Sequence, residues 1–134
     1  MLLPHGTVIA LVDGQTLELY RNTGTEAEPA LTALDSPRLD SRNHSGVSHH
    51  ASAGNHAGGL VNEDAHAAAT AEWLNDAVLA HRIKDIVLFA APRTLGELRK
   101  HLRKTTEQAI LKQYSKDLVG KPATAILSAL HEVN

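Results

Sequence analysis

The sequence predicts one α/β domain over residues 1–134, built on a mixed sheet with the element order βββαβαα. Three observations carry that expectation. Residues 7–12 and 85–91 are nearly continuous apolar runs, as strands buried on both faces require. An Asp13-Gly14 pair joins the first run to an alternating segment, the signature of an antiparallel hairpin. The second half carries apolar residues at helical spacing.

The elements follow in order. After the strand at 7–12, Asp13-Gly14 predicts a two-residue type I′ turn, because both central positions of that turn need φ > 0. Residues 15–22 alternate: Leu17, Leu19 and Arg21 point one way, Thr16, Glu18 and Tyr20 the other. Residues 30–35 form a weaker third strand with Leu31 and Leu34. Residues 36–61 then hold Ser, Gly, Asn, Ala and His, with almost nothing large and apolar before Leu60. A segment of this composition cannot build its own core, which predicts a long flexible loop. Asn62 is a candidate N-cap for a helix to about Arg82, with Glu63 and Asp64 in its first turn. Ala69, Trp73, Ala77 and Ala80 line its apolar face, with Leu74 and Val78 beside them, so Trp73 is read as a core residue. After the strand at 85–91, Thr94 and Glu97 fit a capping box opening a helix to about Tyr114. Gly120 stops the chain, and Pro122 opens a last helix. If the first and fourth strands pair in parallel, the connection is a right-handed crossover, which places the long loop and the start of the first long helix near one end of the central strand, where α/β sheets usually bind ligands.

Composition narrows the chemistry. The chain of 134 residues has no cysteine, which excludes disulfides and thiolate metal sites. No secretory leader and no apolar run of membrane-spanning length is visible, which predicts a cytoplasmic protein without membrane contact. The formal net charge of −2 hides an asymmetry. Residues 1–67 hold three basic and eight acidic side chains, and residues 68–134 hold ten and seven.

Four constellations are candidates for function. His44, His49, His50 and His56 lie in the loop, with His66 beyond it. Imidazoles bind transition metals, yet adjacent histidines ligate one ion poorly and no HExxH spacing exists, so no resident metal or other cofactor is expected. Such a loop suits hydrogen bonding to RNA instead. Glu63, Asp64 and His66 form an acid–base set or, alternatively, acids complementing a helix dipole. Asp13 ends the first strand, where a nuclease would hold Mg²⁺, but no matching carboxylates accompany it and the turn already explains it. Arg93, Arg99, Lys100, Arg103 and Lys104 make a basic strip through i, i+4 pairs, suited to RNA phosphates or to plain solvation. Arg93, directly after Pro92, either meets an anionic ligand or pairs with an acid such as Glu97.

Motifs along the whole chain carry a resemblance. The opening Met1-Leu2-Leu3-Pro4-His5-Gly6-Thr7-Val8-Ile9-Ala10-Leu11-Val12-Asp13-Gly14 resembles that of the bacterial host-attachment protein family. So do Glu18-Leu19-Tyr20-Arg21-Asn22, Ser48-His49-His50, Ser52-Ala53-Gly54-Asn55 and Glu63-Asp64-Ala65-His66-Ala67. Ala90-Ala91-Pro92-Arg93-Thr94-Leu95-Gly96-Glu97-Leu98-Arg99, the most specific piece, and Lys116-Asp117-Leu118 complete the set. That family is similar to the middle domain of archaeo-eukaryotic release factors, which implies a small ribonuclease-H-like fold. In release factors a loop before the long helix carries Gly-Gly-Gln, which helps water attack the peptidyl-tRNA ester. The matching place here is Ala57-Gly58-Gly59-Leu60, without the glutamine. The resemblance thus implies a non-enzymatic partner of the ribosome, tRNA or rRNA acting through residues 43–61, with peptidyl-tRNA ester hydrolysis or rescue, or an indirect role in host attachment, as the alternatives. Candidate RNA-binding residues are His49, His50, Asn55, His56, Gly58, Gly59, Arg93, Arg99, Lys100, Arg103 and Lys104.

Overall fold

A computed structural model describes residues 2–39 and 56–132. Five strands form one mixed sheet: β1 (Val8–Val12), β2 (Leu17–Asn22), β3 (Leu31–Leu34), β4 (Ile86–Ala90) and β5 (Ile110–Ser115), in the spatial order β3-β2-β1-β4-β5. Four helices complete the fold: α1 (His56–Leu79), α2 (Pro92–His101), α3 (Lys104–Ala109) and α4 (Ala123–Glu132). The expected mixed α/β class is the observed one. β1 pairs antiparallel with β2 and parallel with β4, which itself pairs parallel with β5.

The period-2 geometry of the strands splits the core into two layers. Val8, Ala10, Val12, Leu17, Leu19, Ile86, Leu88 and Ala90 face α1 and α2, meeting Ala67, Ala71, Leu74, Ala77, Leu95 and Leu98. Alanines on α1 let that helix lie close to the sheet. Ile9, Leu11, Val87, Phe89 and Tyr114 face the other way, onto Leu118 and onto Ile126, Ala129 and Leu130 of α4. Both central strands are wholly buried, as their apolar runs predicted. Trp73 packs half-buried against the α1 side of the core, whereas Ala80 is exposed, not on the apolar face.

Three local expectations are corrected. The β1–β2 connection is a four-residue loop, because Val12 pairs with Leu17. Asp13 N–H donates to Thr16 O (3.1 Å), and Asp13 Oδ1 accepts from Gln15 N (2.8 Å) and Thr16 N (2.6 Å). The aspartate side chain closes the turn, and Gly14 does not adopt a positive φ, so the loop is not type I′. The helix expected from Thr94 begins at Pro92 with Ala91 as N-cap, because proline's fixed φ suits the first helical position. The same predicted helix ends early. Leu102 and Arg103 are extended, a short α3 follows, and residues 110–115 form β5 on the edge of the sheet. The ladder to β4 outweighs local helix propensity there, so the full order is βββαβααβα.

Polar side chains fasten these pieces together. Asn75 of α1 donates to His101 O (3.0 Å) and accepts from Arg103 N (2.9 Å) and Thr106 Oγ1 (2.6 Å), which fixes the α2–α3 turn against α1. Glu18 of β2 accepts from Gly120 N (2.8 Å), tying the chain after β5 to the opposite half of the sheet.

Candidate functional site

The carboxyl ends of β1 and β4 lie side by side, with Val12 paired to Ala90. Two turns leave from there: Asp13–Thr16, and the Ala91-Pro92 entry into α2. One face of α1 closes over both. Glu63 lies on Gly14, where any Cβ would stand 2.6 Å from Glu63 Oε1, so glycine is what admits the carboxylate. His66 lies one turn further on, beside Asp13, whose backbone and charge act on its imidazole. Asp64 reaches the other turn, accepting from Arg93 Nη2 at 3.1 Å on both of its oxygens.

This arrangement decides between the two meanings of the Glu63, Asp64 and His66 cluster. The helix starts at His56, not at Asn62, so the two acids lie two turns inside α1 and do not complement its N-terminal dipole. They are not an open acid–base set either. Asp64 is occupied by Arg93, and Asp13 Oδ1 by its own turn. The buried His66 Nδ1 has no hydrogen-bond partner. Desolvation by burial pushes the His66 pKa below its ordinary 6.5, outweighing the raising effects of the Asp13 backbone and charge. Together, Glu63, Asp64 and His66 clasp α1 to the two turns. Arg93 serves that clasp and not the expected Glu97, which pairs with Lys100 instead (2.7 Å).

The clasp has a pH signature. The unfolded chain takes up a proton on this histidine near pH 6.5, while the folded protein resists it. Stability from this group is therefore complete above about pH 6.5 and is lost as pH falls through the lower folded-state pKa. Urea titrations at several pH values should show the stability of the wild type falling toward that of His66→Gln on acidification. A constant gap between the two proteins across pH 5–8 would contradict the burial described.

Seven helical residues, 56–62, precede the clasp, so roughly 10 Å of α1 extends beyond it. The family model of bacterial archaeo-eukaryotic release factor family 12 matches residues 6–130. The chain belongs to that family. A comparison with curated proteins returns no match. Gly58 and Gly59, expected in a loop, lie in the first turns of α1 together with His56. Six residues of the predicted loop, 56–61, are therefore helical, and residues 40–55 of it lie outside the described residues. His44, His49, His50 and Asn55 fall outside the described residues.

The basic strip is corrected. Arg99 and Lys100 end α2, Arg103 is the N-cap of α3, and Lys104 opens that helix. The break at Leu102 means that 99/103 and 100/104 are not i, i+4 pairs of one helix. All four side chains are exposed, but Arg99 Nε donates to Gln113 Oε1 (2.8 Å) and Lys100 is held by Glu97. Among the described residues, no group of three or more His, Asp or Glu side chains is placed to hold a metal. No helix among them is long and apolar enough to cross a membrane. Sequence reasoning missed the Asp64–Arg93 pair, which spans 29 positions and has no local signal.

Proposed function

We propose that this release-factor family member is a non-enzymatic, ribosome- or RNA-associated factor that presents residues 43–61 as its working tip. The observation that carries this reading is the clasp. It sets α1 against the carboxyl ends of β1 and β4, and the helix's first turns, with Gly58 and Gly59, extend beyond that contact. Membership of the release-factor family supports the ribosome as the partner. Leu60 follows the glycines where release factors carry glutamine, so the side-chain amide for ester hydrolysis is missing. Occupancy, rescue or shielding of the ribosome fits this chain better than peptide release. Any influence on attachment to host cells is, on this reading, indirect and exerted from the cytoplasm.

Sucrose-gradient fractionation of growing and starved cells tests the proposal. The protein should travel with ribosomal particles, and purified protein should leave ribosome-bound peptidyl-tRNA intact. Protein that stays wholly at the top of the gradient under both conditions refutes the association. Release of the peptide refutes the non-enzymatic part.

A further inference from the structure

A second feature lies at the opposite end of α1. A cavity of about 190 Å³ opens between the β2–β3 side of the sheet and the last turns of that helix. Leu19, Leu34, Ala77 and Ile83 form its apolar floor, and Trp73, Arg21, Arg82 and Asp35 its polar and aromatic walls. Trp73 is the only tryptophan in the chain. The Arg82 guanidinium carbon lies 5.8 Å from the centre of the Trp73 ring. Arg21 Nη2 donates to the main-chain Arg82 O at 3.3 Å, and both arginines line the cavity. Among the described residues, neither arginine forms an ion pair with a carboxylate, Asp35 included.

Two guanidinium groups beside a half-buried indole over an apolar floor define the chemistry of an occupant. It must carry a flat ring to stack on Trp73 and an anionic group to meet the arginines. The volume is below the ~300–1,000 Å³ of drug-sized sites, so it admits one ring system and not a string of them. Asp35 offers acceptor oxygens only, so the ring edge that meets it must donate an N–H. Planar ring, ring N–H and attached anion together describe a nucleotide. We infer that this cavity binds one nucleotide of single-stranded RNA, with its base on Trp73 and its phosphate on Arg21 and Arg82. Arg82 is exposed, so its side chain moves from the indole face to the phosphate without disturbing the core. This site rests on the RNA-association reading above and deepens it. It gives that reading a contact some 25 Å of helix away from the α1 start.

Trp73 is its own reporter. The full chain is titrated with a mixed-sequence single-stranded RNA 12-mer, with AMP and GMP, and with inorganic phosphate, following tryptophan fluorescence. Saturable quenching by the RNA is expected, with mononucleotides at least tenfold weaker and phosphate without effect. Arg21→Gln and Arg82→Gln should each weaken RNA binding about tenfold or more. Trp73→Ala should weaken it roughly five- to hundredfold, read by fluorescence anisotropy of a labelled RNA. Trp73→Phe keeps a ring in place and should retain most of the affinity, which separates lost stacking from lost packing. Absence of quenching, equal binding by the arginine variants, or mononucleotides as tight as RNA would each overturn the inference. If the wild type travels with ribosomes but RNA leaves Trp73 unquenched, this pocket fails while the ribosome reading stands. If wild type neither co-sediments nor is quenched, both fail.

Discussion

Phe89→Ala should lower the unfolding free energy by about 3–5 kcal/mol, the usual cost of deleting a buried aromatic ring. Phe89 is wholly buried in the central strand β4. Its ring stacks on Tyr114 with centroids 4.5 Å apart and planes 9° from parallel. That pair joins β4 to β5 and forms the middle of the layer under α4. Removing the ring leaves a void between two strands that cannot close without shifting the sheet, and the loss is a large part of a typical domain's net stability. Urea denaturation followed by circular dichroism reads the effect. Leu111→Ala, on the exposed side of the same edge strand, should cost far less. Equal costs at the two positions would contradict the core assignment.

The second large effect is expected at Asn22, a buried polar residue at the end of β2. Its Nδ2 donates to Leu3 O at 2.8 Å, with weaker approaches to Pro4 O and Thr25 O. Its Oδ1 accepts from Gly24 N (2.9 Å) and Ala30 N (3.0 Å). One side chain thereby satisfies backbone groups of the amino-terminal segment and of the β2–β3 connection. Gly24 belongs to the same knot, because a Cβ there would meet the backbone of Glu28 and of Ala30. Asn22→Leu fills the volume but leaves two N–H groups and a carbonyl without partners, and should cost about 2–4 kcal/mol. Asn22→Asp keeps the acceptor and loses the donor, so it should fall between wild type and Asn22→Leu. Thermal unfolding of the three proteins orders them, and an Asn22→Leu protein as stable as wild type would refute the role given to this residue.

These two residues also mark what the sequence could and could not disclose. Phe89 sits in an apolar run whose length and composition announce a buried strand, and the four strands so announced are all present. Alternation at Leu17, Leu19 and Tyr20 even assigned the sheet faces correctly. Residues 110–115 were illegible because Ile110 extends a helical apolar stripe as well as it opens a strand. Only the long-range ladder to β4 decides between them. The start of α1 was hidden for another reason. Apolar periodicity is the main helix signal, and residues 56–59 contain no large apolar side chain to supply it. Asn22 and Asn75 gave no signal, since a polar residue announces neither its burial nor its partners. The candidate site was legible as a set of residues but not as a geometry. Glu63, Asp64, His66, Arg93 and Asp13 were each noticed. That three of them hold α1 to two turns follows from the parallel pairing of β1 with β4, which brings Asp13 and Arg93 to the same end of the sheet. The start of α1 at His56 removed Glu63 and Asp64 from the helix end where they were expected as capping acids.

The proposed ribosome association places residues 43–61 against ribosomal RNA or tRNA. An electron cryomicroscopy map of ribosomes isolated with the bound wild-type protein tests it most directly. Density is expected for the α/β domain with the first turns of α1 and residues 43–61 against ribosomal RNA or tRNA. A bound domain with that end turned to solvent, or ribosomes without the domain at saturating protein, would contradict it.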